Sequence, residues 1–180
     1  METVKKIVVI GPESTGKSTL CEQLSNHFNT LWVPEYAREY LEKNGTAYTY
    51  DDLLLIAKGQ IESEEKITQN LTSGILADKL FIDTDMYVMK VWCEFVFNQC
   101  HNWILNRIAE RKYDLYLLCN VDLPWIKDSL REYPDKKIRE KLYYYYKDLM
   151  VNQGVTWCDI SGSYEERLNK AVQFIETSVK

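Results

Sequence analysis

Residues 11–18 read GPESTGKS and fit the pattern G-x-x-x-x-G-K-S. Few short patterns constrain a fold as tightly, because this one works only between a strand and a helix. Both flanks are present. Lys5–Ile10, KKIVVI, is a short β-branched run of the kind that forms a buried parallel strand. From Lys17 onward, Leu20, Leu24 and Phe28 recur at helical spacing. Gly11 and Gly16 permit turns that a side chain would obstruct. The loop amides then point inward and, with the helix N-terminus, form a concave anion site. Residues Gly11, Glu13, Ser14, Thr15, Gly16, Lys17, Ser18 and Thr19 are therefore assigned to triphosphate binding. Lys17 serves as the point charge on the β and γ phosphates, Ser18 offers a hydroxyl to Mg²⁺, and Thr19 bonds an α-phosphate oxygen. The bland alternative is a relic loop that binds nothing.

The rest of the chain predicts strands alternating with helices. Strands are expected at residues 31–33, 79–82, 114–119 and 155–158. Helices are expected at 35–43, 51–71, 84–98, 101–112, 136–150 and 164–179, with Gly59 weakening the second of these. Such alternation implies an α/β fold, a parallel sheet with helices on both faces and right-handed crossovers. At 180 residues the chain is expected to be one domain with its own core.

A ligand crevice lies at the carboxyl ends of parallel strands. Asp83 ends the apolar run of the third strand, where a carboxylate would hold Mg²⁺ together with Ser18. Asp85, two residues on, either faces an acceptor or caps a helix. The second strand halts at Pro34 and delivers Glu35 to the same edge, making it the first choice for a base that removes an acceptor proton. Asp83 and Asp85 compete for that role, and a first-turn helix glutamate facing water is the plain reading of Glu35. Tyr36 and Arg38 follow and are candidates for the acceptor pocket, Arg38 equally for a structural ion pair. Residues 122–139 contain two prolines and many basic groups, which suits a lid closing over phosphates. Arg131 is the first choice for a phosphate contact, with Lys136, Lys137 and Arg139 behind it; a solvated helix face explains the lysines as well. Trp125 packs under the lid or against a flat ligand.

Composition narrows the partners. The formal charge of −5 argues against a protein that grips nucleic acid by its backbone. Five scattered cysteines form no C-x-x-C, which argues against a disulfide framework or thiolate zinc site. Cys93, Cys100 and His101 read as packing residues rather than metal ligands. No stretch approaches the ~18 apolar residues of a membrane span, and residues 1–6 lack the form of a signal peptide. Reducing cytoplasm is the expected compartment, and neither membrane nor nucleic acid is an expected partner. Tyrosine is abundant at 13 residues, four of them consecutive from Tyr143 to Tyr146. Consecutive helical residues point in different directions, so these divide between packing and solvent, with a ligand contact by one of them as the alternative.

The stretches GPESTGKSTL, VPEYAREY, IAKGQ, FIDTD and VDLPWIKDSLR occur in one order over nearly the whole chain. Together they resemble the ribosylnicotinamide kinase domain of NadR-type NAD-biosynthesis proteins, a branch of the P-loop nucleoside kinases. VPEYAR is also similar to the V-P-E-P stretch of deoxynucleoside kinases, whose glutamate sits at the acceptor hydroxyl. The resemblance implies a three-layer P-loop NTPase fold with strand order 2-3-1-4-5. It implies ATP and Mg²⁺ as cofactors, and phosphorylation of the 5′-hydroxyl of nicotinamide riboside. Tyr36, Gln60, Trp92 and Trp125 become candidates for the nucleoside pocket. His27 and His101 lie in no H-x-G-H motif, so the nucleotidyltransferase activity of bifunctional relatives is not expected of this stand-alone chain. The rivals are a kinase of another nucleoside or small alcohol, and a nucleotide-dependent switch. For a guanine switch, the stretch CNVDLP lacks the N-K-x-D spacing.

Overall fold

A computed structural model describes residues 4–74 and 77–179. Five parallel strands are ordered β2-β3-β1-β4-β5. They are β1 (Lys5–Ile10), β2 (Trp32–Val33), β3 (Lys79–Asp83), β4 (Leu115–Cys119) and β5 (Trp157–Ile160). Seven helices connect or follow them: α1 (Lys17–His27), α2 (Tyr36–Asn44), α3 (Tyr50–Gly74), α4 (Met86–Phe97), α5 (Asn102–Glu110), α6 (Lys136–Asn152) and α7 (Tyr164–Ser178). Central β1 pairs with β3 and β4, with Val9 opposite Asp83 and Ile10 opposite Leu118. Strand alternation divides the sheet's apolar residues between two cores. Ile7, Val9, Phe81, Leu115 and Leu117 pack with Leu20, Cys21 and Leu24 of α1 and Ala171 and Ile175 of α7. Val8, Ile10, Leu80, Ile82, Tyr116 and Leu118 pack with Val88 and Val91 of α4 and with Leu142, Tyr143 and Tyr146 of α6. A third cluster gathers α2, α3, α4 and α5 around Leu53, Ile56, Met89 and Ile104.

Two expectations from the sequence change. The last strand starts two residues later than expected. The Gln153 side chain accepts from Val155 N at 2.6 Å and donates to Val155 O at 2.7 Å, so that backbone is consumed in a turn. Ladder pairing with β4 then begins at Tyr116–Trp157. Gly59 does not interrupt α3. A Cβ there would stand 2.1 Å from Tyr36 Cε1, so the missing side chain is what lets the Tyr36 ring lie on the helix.

Candidate active site

At the carboxyl edge of the sheet, β1 runs into the phosphate loop. A Cβ on Gly11 would come within 2.7 Å of Cys119 O, so the loop can pass the end of β4 only with glycine there. Gly16 takes φ 76 and turns the chain into α1. Thr15 Oγ1 donates to Pro12 O at 2.7 Å and Lys17 Nζ to the same oxygen at 3.1 Å, so Lys17 is folded back into the loop. Arg167 of α7, buried, donates to Thr15 O at 2.8 Å, Asn120 O at 2.9 Å and Gly162 O at 2.8 Å, and bonds Asp122. One guanidinium thus ties the phosphate loop to the ends of β4 and β5. The sequence reading missed Arg167, because its partners lie far away in the chain.

Ser18 Oγ donates to Asp83 Oδ2 at 2.5 Å. Asp83 is fully buried, and burial together with the Glu35 charge raises its carboxyl well above the ordinary range, against Lys17 and Ser18, which lower it. Asp83 therefore meets the site through Ser18 rather than as an open wall. Thr84, a buried β-branched residue, holds φ 77, a strained conformation found mostly at functional turns. Thr84 separates Asp83, at the end of β3, from Asp85, the N-cap of α4, and the two carboxylates have different partners.

Asp85 is the correction that follows. Its Oδ1 accepts from Tyr87 N at 2.9 Å and Val88 N at 3.4 Å as the α4 cap, and Oδ2 accepts from Tyr116 OH at 2.8 Å. Both oxygens are spent on the fold, so it is neither an acceptor contact nor a rival base. Tyr36 and Gln60 also leave the candidate pocket. The Tyr36 ring packs on Gly59. The buried Gln60 amide accepts from Tyr36 N at 2.8 Å and donates to Asp83 O at 3.2 Å. It is a strut between the β2–α2 turn and the end of β3, which sets Glu35 against Asp83.

A cavity of about 270 Å³ opens beside the loop. Its polar rim carries Lys17, Ser18, Thr19, Glu35, Arg38 and Arg131. Its inner wall is apolar and aromatic, from Val88, Val91, Trp92 and Phe95 of α4 and Leu142 and Tyr146 of α6. Glu35 occupies the N-cap position just before α2 but makes no side-chain cap bond. Among the described residues its carboxylate has no hydrogen-bond partner and faces the cavity. Trp92 lies on the wall and donates Nε1 to Tyr48 OH at 2.9 Å.

The segment between β4 and α6 is closed over the loop. Glu13 accepts from Glu132 N at 2.9 Å, Tyr133 N at 2.7 Å and Trp125 Nε1 at 3.4 Å. Ser14 Oγ accepts from Ile126 N at 3.0 Å. The side chains of Glu13 and Ser14 thus hold residues 125–133 against the loop, and Trp125 sits among these bonds rather than on the cavity wall. Arg38 lies on the wall and pairs with Asp128 at 2.8 Å, which raises its pKa. Arg131 reaches the wall, its Nη1 donating to Ile126 O at 2.5 Å. Lys136 and Lys137 are exposed in the first turn of α6, Lys136 pairing with Glu140 at 3.6 Å. Arg139 is buried, and its Nε and Nη1 have no hydrogen-bond partner among the described residues. No group of three or more His, Cys, Asp or Glu able to hold a metal occurs among the described residues. No described helix is long and apolar enough to cross a membrane.

The sequence model of the AAA domain family matches residues 6–167. The chain is 27% identical over 178 residues to the trifunctional NAD biosynthesis/regulator protein NadR of Escherichia coli (strain K12), covering 96% of this chain and 42% of that protein. Identity to the protein of the same name from Salmonella typhimurium is also 27%, over 179 residues and 42% of its length. The chain thus spans about two fifths of the length of the curated relatives it matches. A crystal structure of NadR protein in complex with NR superposes with a TM-score of 0.75 at 23% identity, covering 98% of this chain and 50% of that one. A second, in complex with NAD and AMP-PNP, gives 0.73 at 23% identity over 98% and 49%. These structures share the fold described above.

Proposed function

The chain belongs to the AAA domain family, and we propose that it is an ATP-dependent nucleoside kinase acting on the 5′-hydroxyl of nicotinamide riboside. One observation carries the reading. A phosphate loop and a glutamate without a hydrogen-bond partner among the described residues share one cavity, whose inner wall is apolar and aromatic. The loop suits a triphosphate, the glutamate suits a hydroxyl, and the wall suits a flat ring. A cationic pyridinium against Trp92 adds a cation–π attraction of about 0.5–2 kcal/mol. The likeness in sequence to NadR, and the NR and AMP-PNP complexes of its structural neighbours, support this choice of substrates.

In the proposed reaction Glu35 takes the proton of the 5′-hydroxyl. That oxygen forms a bond to the γ-phosphorus as the bond from γ-phosphorus to the β-bridging oxygen breaks, releasing ADP. Lys17 leaves Pro12 O for the phosphates, and Arg131 meets the developing charge from the lid side. Ser18 and Asp83 present hard oxygen donors side by side, a pair that fits Mg²⁺. That ion would neutralise phosphate charge at the end of the loop. The latched lid excludes water, which favours transfer to the acceptor over hydrolysis. ADP release measured across nicotinamide riboside, deoxynucleosides, thiamine and pantothenate tests the reading. Turnover of nicotinamide riboside no faster than of the others would reject it.

A further inference from the structure

The four consecutive tyrosines divide their duties. Tyr143 OH donates to Asp159 of β5, and Tyr145 OH to Glu94 of α4. Tyr144 is 65% exposed. Tyr146 is buried on the cavity wall, next to Leu142 of the preceding turn. Unlike the first and third tyrosines, it has no hydrogen-bond partner among the described residues, and its oxygen is not among the sealed, unpaired atoms. The hydroxyl is thus not sealed off, and the residue that carries it lines the cavity. The charges acting on it are the carboxylates of Glu35 and Asp85. Burial and these two carboxylates hold the phenol far above its ordinary range, so it remains a proton donor at any working pH. Phenylalanine would fill the same volume without placing a hydroxyl in an apolar wall, so the oxygen calls for a partner.

We propose that Tyr146 is an acceptor-recognition residue, its phenol donating a hydrogen bond to a ring hydroxyl of the nucleoside sugar while Glu35 engages the hydroxyl to be phosphorylated. The proposal rests on the nucleoside kinase reading. It gives the wall one polar group at the sugar and leaves its apolar part for the base. A site built to bond a hydroxyl discriminates strongly against the analogue lacking it.

The test compares Tyr146→Phe, Tyr143→Phe and Tyr145→Phe with the wild type, using the best nucleoside acceptor and its 2′-deoxy and 3′-deoxy analogues. Tyr146→Phe should raise the acceptor KM roughly tenfold, the worth of one hydrogen bond, with ATP KM and thermal midpoint unmoved. One deoxy analogue should lose a similar factor with the wild type and no further factor with Tyr146→Phe. Tyr143→Phe and Tyr145→Phe should lower the thermal midpoint and leave the acceptor KM alone. An unchanged acceptor KM in Tyr146→Phe, a fall in kcat alone, or deoxy penalties that add fully to the mutation would each overturn the proposal. So would a wild type indifferent to both deoxy analogues, a result that needs no variant to fold. Wild-type protein that phosphorylates no nucleoside would instead overturn the reading beneath it.

Discussion

Replacing Glu13 with alanine should unfasten the lid while leaving the fold intact. The carboxylate receives two well-formed backbone bonds, from Glu132 N at 2.9 Å and Tyr133 N at 2.7 Å, and a long one from Trp125 Nε1 at 3.4 Å. A hydrogen bond to a charged group contributes about 1.5–3 kcal/mol when shielded. The Glu132 amide is exposed and the Tyr133 amide only partly buried, so the low end applies, and the long bond adds little. The loss is then about 2–3 kcal/mol of lid docking. The remaining fasteners include Ser14 Oγ to Ile126 N, Tyr48 OH to Glu132 Oε2 at 2.8 Å and the exposed Arg38–Asp128 pair, and such an ion pair holds at most about 1 kcal/mol. Native-state hydrogen exchange reads the result directly, since local opening scales with that free energy. The amides of Glu132 and Tyr133 should exchange roughly 30–150 times faster. Amides of β1 and β4 and the thermal midpoint should hold. Unchanged exchange at residues 132 and 133 would refute the latch. Equal acceleration in the central strands would make Glu13 a fold residue instead.

Other perturbations separate the roles. Lys17→Ala should lower kcat/KM by about 10²–10³, as removal of one preorganised charge does, in a steady-state assay with ATP. Glu35→Gln should reduce kcat by about 10²–10⁴ with ATP KM nearly constant; near wild-type kcat would pass the base role to Asp83. Asp85 is pushed up to about 6 by burial, so the folded state holds its proton more tightly than the unfolded chain. Its contribution to stability is therefore greatest below about pH 4 and falls as pH rises to about 6. Asp85→Asn keeps a capping oxygen and cannot ionise. Denaturant midpoints should show that variant losing the decline between about pH 4 and 6; the same decline in both proteins would exclude Asp85 as its source.

The strands and the phosphate loop were legible because their causes are local. β-Branched runs, a glycine pattern and helical spacing each lie within about ten residues of chain. The identity of the crevice edge followed from topology, which brought Glu35, Lys17 and Arg131 to one cavity. Side-chain roles set by distant partners were not legible. Asp85 reads as either an acceptor contact or a helix cap until its two oxygens are found on the α4 amides and Tyr116. Gln60 reads as a pocket residue until its amide is found between Tyr36 N and Asp83 O. Arg167 reads as one more charge on the closing helix, although it braces Thr15 from the far end of the chain. Tyr146 had a faint signal: it lies four residues after Leu142 and seven after Arg139, on one helix face pointing inward.

Phosphorus NMR on the wild-type protein with ATP, Mg²⁺ and nicotinamide riboside tests the central claim most directly. The expected result is a new phosphomonoester resonance, split by the two 5′-methylene protons, growing in step with ADP. ADP accompanied only by inorganic phosphate, or ATP left intact, would contradict it.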